Sequence, residues 1–372
     1  MKGRLTALFK FMKFNFSLFI ILFFPVILFS QSDSTKVNDK WKLDSNYVVS
    51  YPEKLALGIF ESFRMYDLMF SQKMVSDTGG ISSMNYIARG NSSHGIDFAY
   101  DKIAFSLGTS IEATETDKLR KGITQTRNLG FSINSKKYRL EGAYRKYTGF
   151  YDNYTGRRDT NFNDSTPYYQ MPNMYSRAFR IKGFYFFNKK RRYSYGAAFN
   201  NTARQLKTAG TFLFVSNLYK FSLRSDSTWI QPNNAFYYPG WEKLNSFITH
   251  GLSFNFGYTF NLVVFKRFFA HATGTIGLEL QKYKYGSENG SLQNEGWLFG
   301  FGSADLRGSI GYNGEKIYAI FSYVGDFNGY DLKELRFDTR LNYFSFNFGY
   351  RFSVKENKLT VWLKNNRFYK MI

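Results

Sequence analysis

One twelve-residue segment, residues 251–262, alternates without interruption between large apolar side chains and small or polar ones. Successive side chains of a β-strand point to opposite faces, so a strand here has one apolar face and one small, polar face. A tilted strand crosses a bilayer in about 10 residues, and this segment is long enough. The apolar face holds Leu252, Phe254, Phe256, Tyr258, Phe260 and Leu262, and the other face holds Gly251, Ser253, Asn255, Gly257, Thr259 and Asn261.

The composition is typical of a barrel that crosses a membrane with such strands. Aromatic residues make up 20% of the chain, yet the mean hydropathy is only −0.38. Only every second strand residue of a membrane barrel meets lipid, which explains both values together. An open sheet would leave unpaired backbone groups in hydrocarbon, so the strands are expected to close into a ring. The sequence therefore predicts an all-β fold, a transmembrane antiparallel up-and-down β-barrel of 12–14 strands. A soluble β-sandwich is the competing interpretation, because soluble sheets also alternate.

Cysteine usage and charge narrow the function classes. The 372 residues contain no cysteine, which excludes disulfides, thiolate metal sites and a catalytic thiol. The formal net charge is +22, and the basic residues are spread along strands and turns instead of forming one tail. For an exported barrel we expect the partners of this charge to be phosphate-bearing lipids at the outer surface or anions in the lumen, and no nucleic acid.

The first 30 residues have the order of a secretory signal peptide. Basic residues precede an apolar run at 16–29, and Ser30 then offers a small residue before a polar stretch. The run is short for a membrane-spanning helix and Pro25 disfavours one, so an uncleaved anchor is only the alternative. The predicted organisation is a signal peptide at 1–30, a polar lead at 31–53, the barrel at 54–352, and an extra strand or periplasmic tail at 353–372.

Strand candidates recur along the rest of the chain, and Asn313-Gly314 is a strong hairpin signal between two of them. Short turns that alternate with long links are typical of membrane barrels, with the short turns periplasmic. Strands are predicted at 55–63, 95–111 (a hairpin), 129–133, 138–144, 179–187, 193–199, 209–223, 248–262, 268–282, 297–312, 317–325 and 344–352, with one more at 359–368. Longer links are predicted at 72–83, 112–122, 151–174, 224–246, 284–295 and 326–334.

Two irregularities interrupt this pattern. Between residues 209 and 296 the short and long links fall out of step, which indicates that at least one strand assigned within this range is wrong. Just before Phe344 the apolar residues change from odd to even positions, since Leu335, Phe337, Leu341 and Tyr343 are odd-numbered. A β-bulge, which inserts one extra residue into a strand, predicts such a change of phase.

Several segments resemble an uncharacterised family of Gram-negative outer-membrane β-barrel proteins, a domain of unknown function. The resemblance covers roughly residues 45–352 and is most specific at 199–212, with support at 144–151, 311–314 and 349–352. It implies an exported barrel in the outer membrane, but no catalytic residue, cofactor or metal. The family-like motif residues are Asn200, Thr202, Arg204, Gln205, Lys207 and Gly210. Arg204 and Lys207 are interpreted as a solvated loop pair, or alternatively as ligands of a lipid phosphate or partner.

The segment 346–352 resembles the terminal-strand signal that the outer-membrane assembly machinery recognises, and this machinery is therefore an expected partner during biogenesis. The alternating residues that carry the resemblance are Phe346, Phe348, Gly349, Tyr350 and Phe352. In known barrels this signal lies at the extreme C-terminus, whereas here 20 residues follow it.

Charged residues that alternate with lipid-facing ones are expected to point into the barrel lumen. They are Asp97, Arg139, Glu141, Arg145, Arg180, Lys182, Glu279, Asp305 and Arg307, together with His271. One interpretation is a pore lining whose excess of arginine and lysine favours anions. The other is a structural network in which opposite charges join neighbouring strands and fill the interior. A count of 12–14 strands does not separate the two, because small barrels are filled and large ones are water channels.

Signals for catalysis are weak. The histidines are His94, His250 and His271, and no metal-binding spacing connects them. Ser253 lies three residues from His250, which places the two side chains on opposite faces of a strand. Tyr100, Tyr312 and Trp297 lie near strand ends, as the aromatic girdle of a membrane barrel requires.

Three functions follow as hypotheses, all for a monomer in the outer membrane. The first is a narrow passive pore with anion preference. The second is a closed structural or binding barrel whose extracellular loops, 151–174 and 224–246, contact a surface partner or lipid. The third is a lipid-modifying enzyme, although the sequence favours a protein that is not an enzyme and binds no cofactor.

Overall fold

The computed structural model describes residues 43–73, 82–89, 92–287, 294–332, 334–355, 358–366 and 369. The predicted signal peptide at 1–30 and residues 31–42 of the polar lead lie outside these residues. Within the described ranges, no helix combines the length and the apolar character that crossing a bilayer requires.

Twelve of the described strands form a closed antiparallel ring, which confirms the predicted barrel. The strands are β1 (Val48–Ser50), β2 (Lys54–Gln72), β3 (Met84–Arg89), β4 (Ser93–Tyr100), β5 (Ile103–Ser110), β6 (Gln125–Asn134), β7 (Tyr138–Asp152), β8 (Tyr169–Phe186), β9 (Ala203–Gln205), β10 (Ala209–Arg224), β11 (Leu244–Val264), β12 (Phe268–Ser287), β13 (Asn294–Asn313), β14 (Ile317–Leu332) and β15 (Leu335–Ser353). The ring runs β2, β4, β5, β6, β7, β8, β10, β11, β12, β13, β14, β15, and β15 pairs back with β2 along its whole length.

Short helical segments lie in the links and after the last strand. They are α1 (Glu115–Lys121), α2 (Thr155–Arg158), α3 (Gly196–Phe199), a 3₁₀-helix (Pro232–Tyr237) and α4 (Lys358–Asn365). The start of α1 follows from local chemistry, because the Thr114 hydroxyl accepts a hydrogen bond from the Asp117 backbone N–H. Gly122, with φ +75°, ends this helix in the left-handed region.

The ring strands alternate between an apolar outside and a filled inside. Phe256 on β11 is 62% exposed, whereas its neighbour Asn255 is 3% exposed. The same contrast recurs around the ring and produces the outward apolar band that a bilayer-spanning barrel needs. Members of this band include Ile59, Leu107, Leu129, Phe179, Phe212, Ile276, Phe299, Phe301, Ile310 and Phe346, and Tyr100, Trp297 and Tyr312 share its outward face.

The links leave the ring at two ends, which we call the short-turn end and the long-loop end. At the short-turn end, three-residue turns follow β11 and β13, and the Asn313-Gly314 signal marks the second of these. At the long-loop end, the link between β10 and β11 folds back into the mouth of the ring. Trp229 and Tyr238 in this link are fully buried.

A large apolar cluster fills the ring at the long-loop end, and we call it the outer cluster. The Phe337 ring on β15 lies 4.4 Å from Tyr330 and 4.7 Å from Phe247, centroid to centroid. The Tyr86 hydroxyl donates to the Trp229 carbonyl at 2.5 Å, which fastens the link to β3. Other members are Leu68, Phe70, Met84, Tyr147, Phe150, Met174, Phe221, Leu223, Ile230, Tyr238, Trp241, Leu244, Leu332, Leu335 and Leu341.

The outer cluster explains the change of phase before Phe344, so the predicted β-bulge is wrong. β15 pairs with β14 and with β2 without a register shift. Its odd-numbered residues point inward throughout. Near the long-loop end these inward residues, such as Phe337, are apolar because they join the cluster. In the membrane band the outward residues, such as Phe346, are apolar because they face lipid.

The segment 188–208, which links β8 to β10, fills the ring at the short-turn end, and we call it the inner plug. The predicted return strand at 193–199 is therefore wrong. The strands predicted between 209 and 296 are all present as β10, β11 and β12, so the expectation of a wrongly assigned strand in that range is wrong as well. Tyr193 and Tyr195 pack with Phe184 and Phe186 inside the ring. Strand β9 of the plug pairs with β1, in the described part of the polar lead.

Two further predictions need correction. Residues 326–334 were expected to form a long link, but β14 continues to Leu332 and β15 begins at Leu335. Residues 359–368 were expected to allow one more strand, but the described part of this segment contains helix α4. That helix belongs to a unit separate from the barrel, which spans residues 43–355.

Candidate functional site: the closed lumen

The middle of the lumen holds a network of buried charges that joins opposite walls. Asp326 on β14 is its centre. Its carboxylate accepts hydrogen bonds from Lys182 Nζ at 2.5 Å and from Arg145 Nη1 at 2.9 Å. The guanidinium of Arg180 lies 3.4 Å away. Three cations from β7 and β8 therefore meet one carboxylate that comes from the far side of the ring.

A second part of the network is built around Arg307 on β13. This guanidinium makes a bidentate pair with Glu141 on β7, at 2.7 and 2.9 Å. It also donates from Nε to Asp305 at 2.7 Å. Asp305 in turn accepts from Lys182, which connects both parts. Since strands β7 and β13 are not neighbours in the ring, these pairs cross the lumen.

The network also holds the inner plug in place. Arg139 donates from Nε to Glu141 at 2.5 Å and from Nη1 to the side-chain oxygen of Asn200 at 2.5 Å. Arg307 donates to the Tyr195 hydroxyl at 3.0 Å. Asn200 and Tyr195 both belong to the plug, so the charges of the wall and the fold of the plug depend on each other.

All the charged residues that were expected in the lumen face inward. Asp97, on β4, lies outside the network, directly opposite Ser106 on β5. Glu279 is 2% exposed, and its carboxyl group lies beside the side chains of Tyr219 and Gln281. His271 is enclosed between the Asn261 side-chain oxygen at 2.7 Å and the Thr273 hydroxyl at 2.8 Å.

The family-like motif residues lie in the inner plug and at its exit. Gln205 accepts from the Ser194 N–H at 3.0 Å and donates to the Arg192 carbonyl at 2.6 Å. Its side chain therefore joins the end of the plug to the beginning of the plug. Thr202 accepts from the Tyr51 N–H at 2.9 Å through its carbonyl. The remaining motif residues lie in β9 (Arg204), over the Tyr47 ring (Lys207) and at the start of β10 (Gly210).

The wall of the short-turn end hydrogen-bonds the plug backbone directly. Asn313 donates to the carbonyls of Ala197 at 2.8 Å and Ala203 at 3.1 Å. Arg351 donates to the Asn201 carbonyl at 2.6 Å. These bonds hold α3 and the residues around it against β13 and β15. The plug is therefore held in the lumen by specific hydrogen bonds from the barrel wall.

Four of the five assembly-signal-like residues lie on the outward face of β15. Phe346, Phe348, Tyr350 and Phe352 point outward, and each is more than a third exposed. Gly349 points inward, where a Cβ atom would lie 2.2 Å from the Tyr318 hydroxyl. Only glycine fits there, because Tyr318 is fully buried behind it.

A cavity of about 360 Å³ remains between the network, β2 and strands β4 to β6. Six cations and three carboxylates line it, together with serine and asparagine side chains. The cations are Arg64, Arg139, Arg145, Arg180, Lys182 and Arg307, and the carboxylates are Asp97, Glu141 and Asp326. Its volume falls in the range of small-molecule sites, which starts at about 300 Å³. No cluster of potential metal ligands occurs among the described residues.

Three interior residues were missed in the sequence. Asp326 lies in a segment that was assigned to a link, and Arg64 lies one residue beyond a predicted strand end. Their alternation with inward neighbours would have revealed them only if the strands had been extended. Arg351 had a usable signal, because it stands between Tyr350 and Phe352 in a clearly alternating strand.

The closed ring, its outward apolar band and its filled interior define a β-barrel of the membrane-spanning class. The chain belongs to the family described as a domain of unknown function, DUF4421, whose pattern matches residues 42–352. The comparison with curated proteins gave no match.

Solved structures of Gram-negative outer-membrane proteins are similar over most of the chain. The outer-membrane protease OmpT from Escherichia coli is 8% identical, with a TM-score of 0.35, and covers 82% of this chain and 98% of its own. An outer-membrane channel from Pseudomonas putida F1 is 10% identical, with a TM-score of 0.30 and coverages of 86% and 100%. A FadL homologue from Pseudomonas aeruginosa is 9% identical, with a TM-score of 0.27 and coverages of 82% and 93%.

Proposed function

We propose that this protein is a closed, non-conducting barrel of the Gram-negative outer membrane that acts by binding and not by catalysis. One observation carries the proposal. The inner plug fills the lumen at the short-turn end and the outer cluster fills it at the long-loop end. The buried network crosses the space between them. This arrangement favours the second hypothesis over a passive pore.

The excess of lumenal cations does not by itself favour anion transport. Five cations of the network, Arg139, Arg145, Arg180, Lys182 and Arg307, contact three carboxylates, and all except Arg139 contact one that comes from another strand. Buried charges of this kind are stabilised by their partners, and breaking a pair leaves an uncompensated charge. We therefore assign these residues to the stability of the barrel and to the lining of its cavity.

Single-channel recording tests the closed lumen. The purified full-length mature protein is expected to give no stepwise conductance in planar bilayers. Reversing charges in Arg139→Glu, Arg180→Glu and Arg307→Glu is expected to lower stability without creating ion preference. As a matched control, Arg127→Glu, Arg177→Glu and Lys220→Glu make the same charge change on the outer wall and should preserve stability far better. Anion-selective conductance of the wild type, reversed by the lumenal variant, would contradict the proposal.

The outer wall supports contact with lipid phosphates. At the long-loop edge of the apolar band, Arg127 on β6 lies directly opposite Lys146 on β7, which lies opposite Arg177 on β8. Like charges in directly opposed positions destabilise a sheet unless counter-charges are present. Among the described residues, no carboxylate forms an ion pair with these three. A second row at the same edge holds Lys220, His250 and Lys282. We call both rows the basic rim.

The basic rim predicts a stability that depends on the lipid. In vesicles of phosphatidylcholine, Arg127→Gln/Lys146→Gln/Arg177→Gln is expected to be at least as stable as the wild type, because repulsion is removed. Phosphatidic acid in the same vesicles should stabilise the wild type by up to about 1 kcal/mol per basic residue, and the variant much less. The difference should shrink at high salt. Unfolding in urea, which is uncharged and does not screen the effect, measures it, and an equal response of both proteins to phosphatidic acid would contradict the contact.

The remaining parts of the proposal concern assembly. Most strand edges of the ring are paired with a neighbouring strand of the same chain, which supports a monomer. The exposed aromatic side chains on the outward face of β15 support recognition by the outer-membrane assembly machinery. Within the lumen, the contacts of His271 with Asn261 and Thr273 support a packing role over catalysis.

A further inference from the structure

The wall of the barrel is incomplete between β5 and β6. These neighbours pair only at three positions, where Ile103, Ala104 and Phe105 lie opposite Ile133, Ser132 and Phe131. Both strands continue for several residues toward the long-loop end, yet no ladder connects residues 106–110 with residues 125–130. Each strand keeps its other neighbour over that stretch, since β5 pairs with β4 and β6 pairs with β7.

The gap is closed again further along the wall. The hydroxyls of Ser110 and Thr126 approach to 3.3 Å at its upper end. Beyond them, β3 pairs with β7 at Tyr86 and Ile87. The opening is therefore a bounded slit between residues 106–110 and 125–130, and we call it the lateral slit.

Exposure on both faces shows that the slit passes through the wall. The outward residues beside it, Leu107 and Leu129, are 57% and 67% exposed. The inward residues Ser106, Gly108 and Gly130 are exposed as well, although inward residues elsewhere in the ring are mostly buried. These inward positions line the same cavity as the outward Leu129.

The cavity of the lumen reaches the outside through this slit. Its lining includes the outward aromatic residues Phe98, Phe105 and Phe131 as well as inward residues such as Arg64 and Arg145. Leu129 and Gly130 line the passage between the two groups. One continuous space thus joins the charged interior to the apolar band, where lipid chains lie.

The two ends of this space differ in the chemistry they favour. Unpaired strand edges in hydrocarbon are costly, and the apolar residues around the slit match an acyl chain. Inside, twice as many cations as carboxylates line the cavity. Arg64 stacks over the Tyr343 ring at 4.5 Å and interacts electrostatically with Asp97, but it forms no ion pair with a carboxylate among the described residues. A carboxylate or phosphate head group would supply the missing negative charge.

We propose that the lumen binds a single-chain anionic amphiphile, which enters sideways from the membrane through the lateral slit. Its head group meets Arg64 and Arg145 in the cavity, and its chain extends between β5 and β6 into the apolar band. The inference rests on the closed lumen of the proposed function, because an open pore would expose the site to water from both ends.

The binding test uses the full-length mature protein in phosphatidylcholine nanodiscs and cis-parinaric acid, a fluorescent polyene fatty acid. We expect saturable binding. Palmitate and lysophosphatidic acid should both displace the probe, and the stronger of the two identifies the head group as carboxylate or phosphate. Hexadecanol and hexadecyltrimethylammonium have the chain without the negative charge and should compete at least about tenfold less well. Absence of saturable binding, or equal competition by hexadecanol, overturns the proposal.

The route of entry is tested with a reversible disulfide cross-link across the lateral slit. Ser106→Cys/Gly130→Cys places two thiols at the positions that would pair next in the ladder, and the natural chain has no cysteine to interfere. A Cβ at position 130 meets no atom nearer than 3.7 Å, so the change fits. Oxidation is expected to reduce the rate of probe binding at least about tenfold, and reductant should restore it in the same sample. Ala272→Cys/Gly308→Cys, across the paired strands β12 and β13, is the control, and a Cβ at position 308 likewise meets no atom nearer than 3.7 Å.

The role of Arg64 is tested by Arg64→Gln, with Arg340→Gln on the outer wall as its control. The first is expected to weaken palmitate binding about tenfold or more, as the loss of a charge-assisted hydrogen bond would, and the second to leave binding unchanged. A rate of probe binding that does not change when the disulfide across the slit forms overturns lateral entry. Failure of the closed lumen is recognised separately, since ion conductance would then be observed whether or not the probe binds.

Discussion

Replacing Asp326 with alanine is expected to lower the free energy of unfolding by about 3–5 kcal/mol, the largest effect of any single charge in the barrel. Lys182, Arg145 and Arg180 all meet this carboxylate. Its removal leaves three cations inside a wall where water is scarce, and their mutual repulsion adds to the loss of the hydrogen bonds.

Guanidinium unfolding in detergent micelles, followed by tryptophan fluorescence, measures this change. Glu295→Gln is the matched control, because its carboxylate pairs with Lys284 at the exposed edge of the barrel. Exposed pairs contribute less than about 1 kcal/mol, so the control should unfold close to the wild type. If Asp326→Ala and Glu295→Gln unfold alike, the network does not stabilise the lumen.

Trp229→Ala is expected to destabilise the barrel by about 3–5 kcal/mol, the usual range for removal of a buried tryptophan. Its side chain is fully buried in the outer cluster, 5.6 Å from the Phe70 ring. The cavity left behind cannot be refilled by the ring strands, because their backbone is fixed by pairing on both sides.

Phe236→Ala in the same link provides the control, since this side chain is 88% exposed. We expect a change within about 0.5 kcal/mol, as for other surface substitutions. The variants also differ in a second measurement. Limited proteolysis should cut residues 225–243 faster in Trp229→Ala than in Phe236→Ala. Equal stability and equal cleavage would show that the link does not close the ring.

Period-two alternation was sufficient to predict the ring and the direction of its side chains. Each outward residue of β11 from Leu252 to Leu262 is apolar, and each inward one is small or polar. The register follows, because a shift by one residue would place Phe254 in the lumen and Asn255 in the apolar band. Alternation also placed Arg139, Lys182 and Asp305 inside, although it did not reveal which of them would meet.

The same alternation wrongly predicted a strand in the inner plug, and the reason is physical. Tyr193, Tyr195, Ala197 and Phe199 alternate with smaller residues just as a strand would. Alternation shows only that one side of a segment is buried. A segment that lies across the interior of a barrel is also buried on one side, so it has the same alternation without being a strand. Arg191 and Asn201, which flank this stretch, have φ of +55° and +58° and turn the chain out of the strand direction. Single positions of this kind leave no periodic signal.

The partners of the interior charges depend on contacts across the lumen, which sequence spacing does not encode. Glu141 and Arg307 are 166 residues apart and lie on strands that are not neighbours. Their pairing is set by ring size and strand stagger together, and both emerge only when the ring closes. The lateral slit was equally hidden, since β5 and β6 each have the alternation of a fully paired strand.

A nitroxide scan along β11 tests the central claim most directly. Single cysteines at positions 252–261 are spin-labelled in bilayers, and collision with oxygen and with a water-soluble nickel complex is measured at each. We expect the even positions to be accessible to oxygen from lipid and the odd positions to be shielded from both reagents. Odd positions open to the nickel complex would show a water-filled pore, and a profile without alternation would show that β11 does not form a barrel wall.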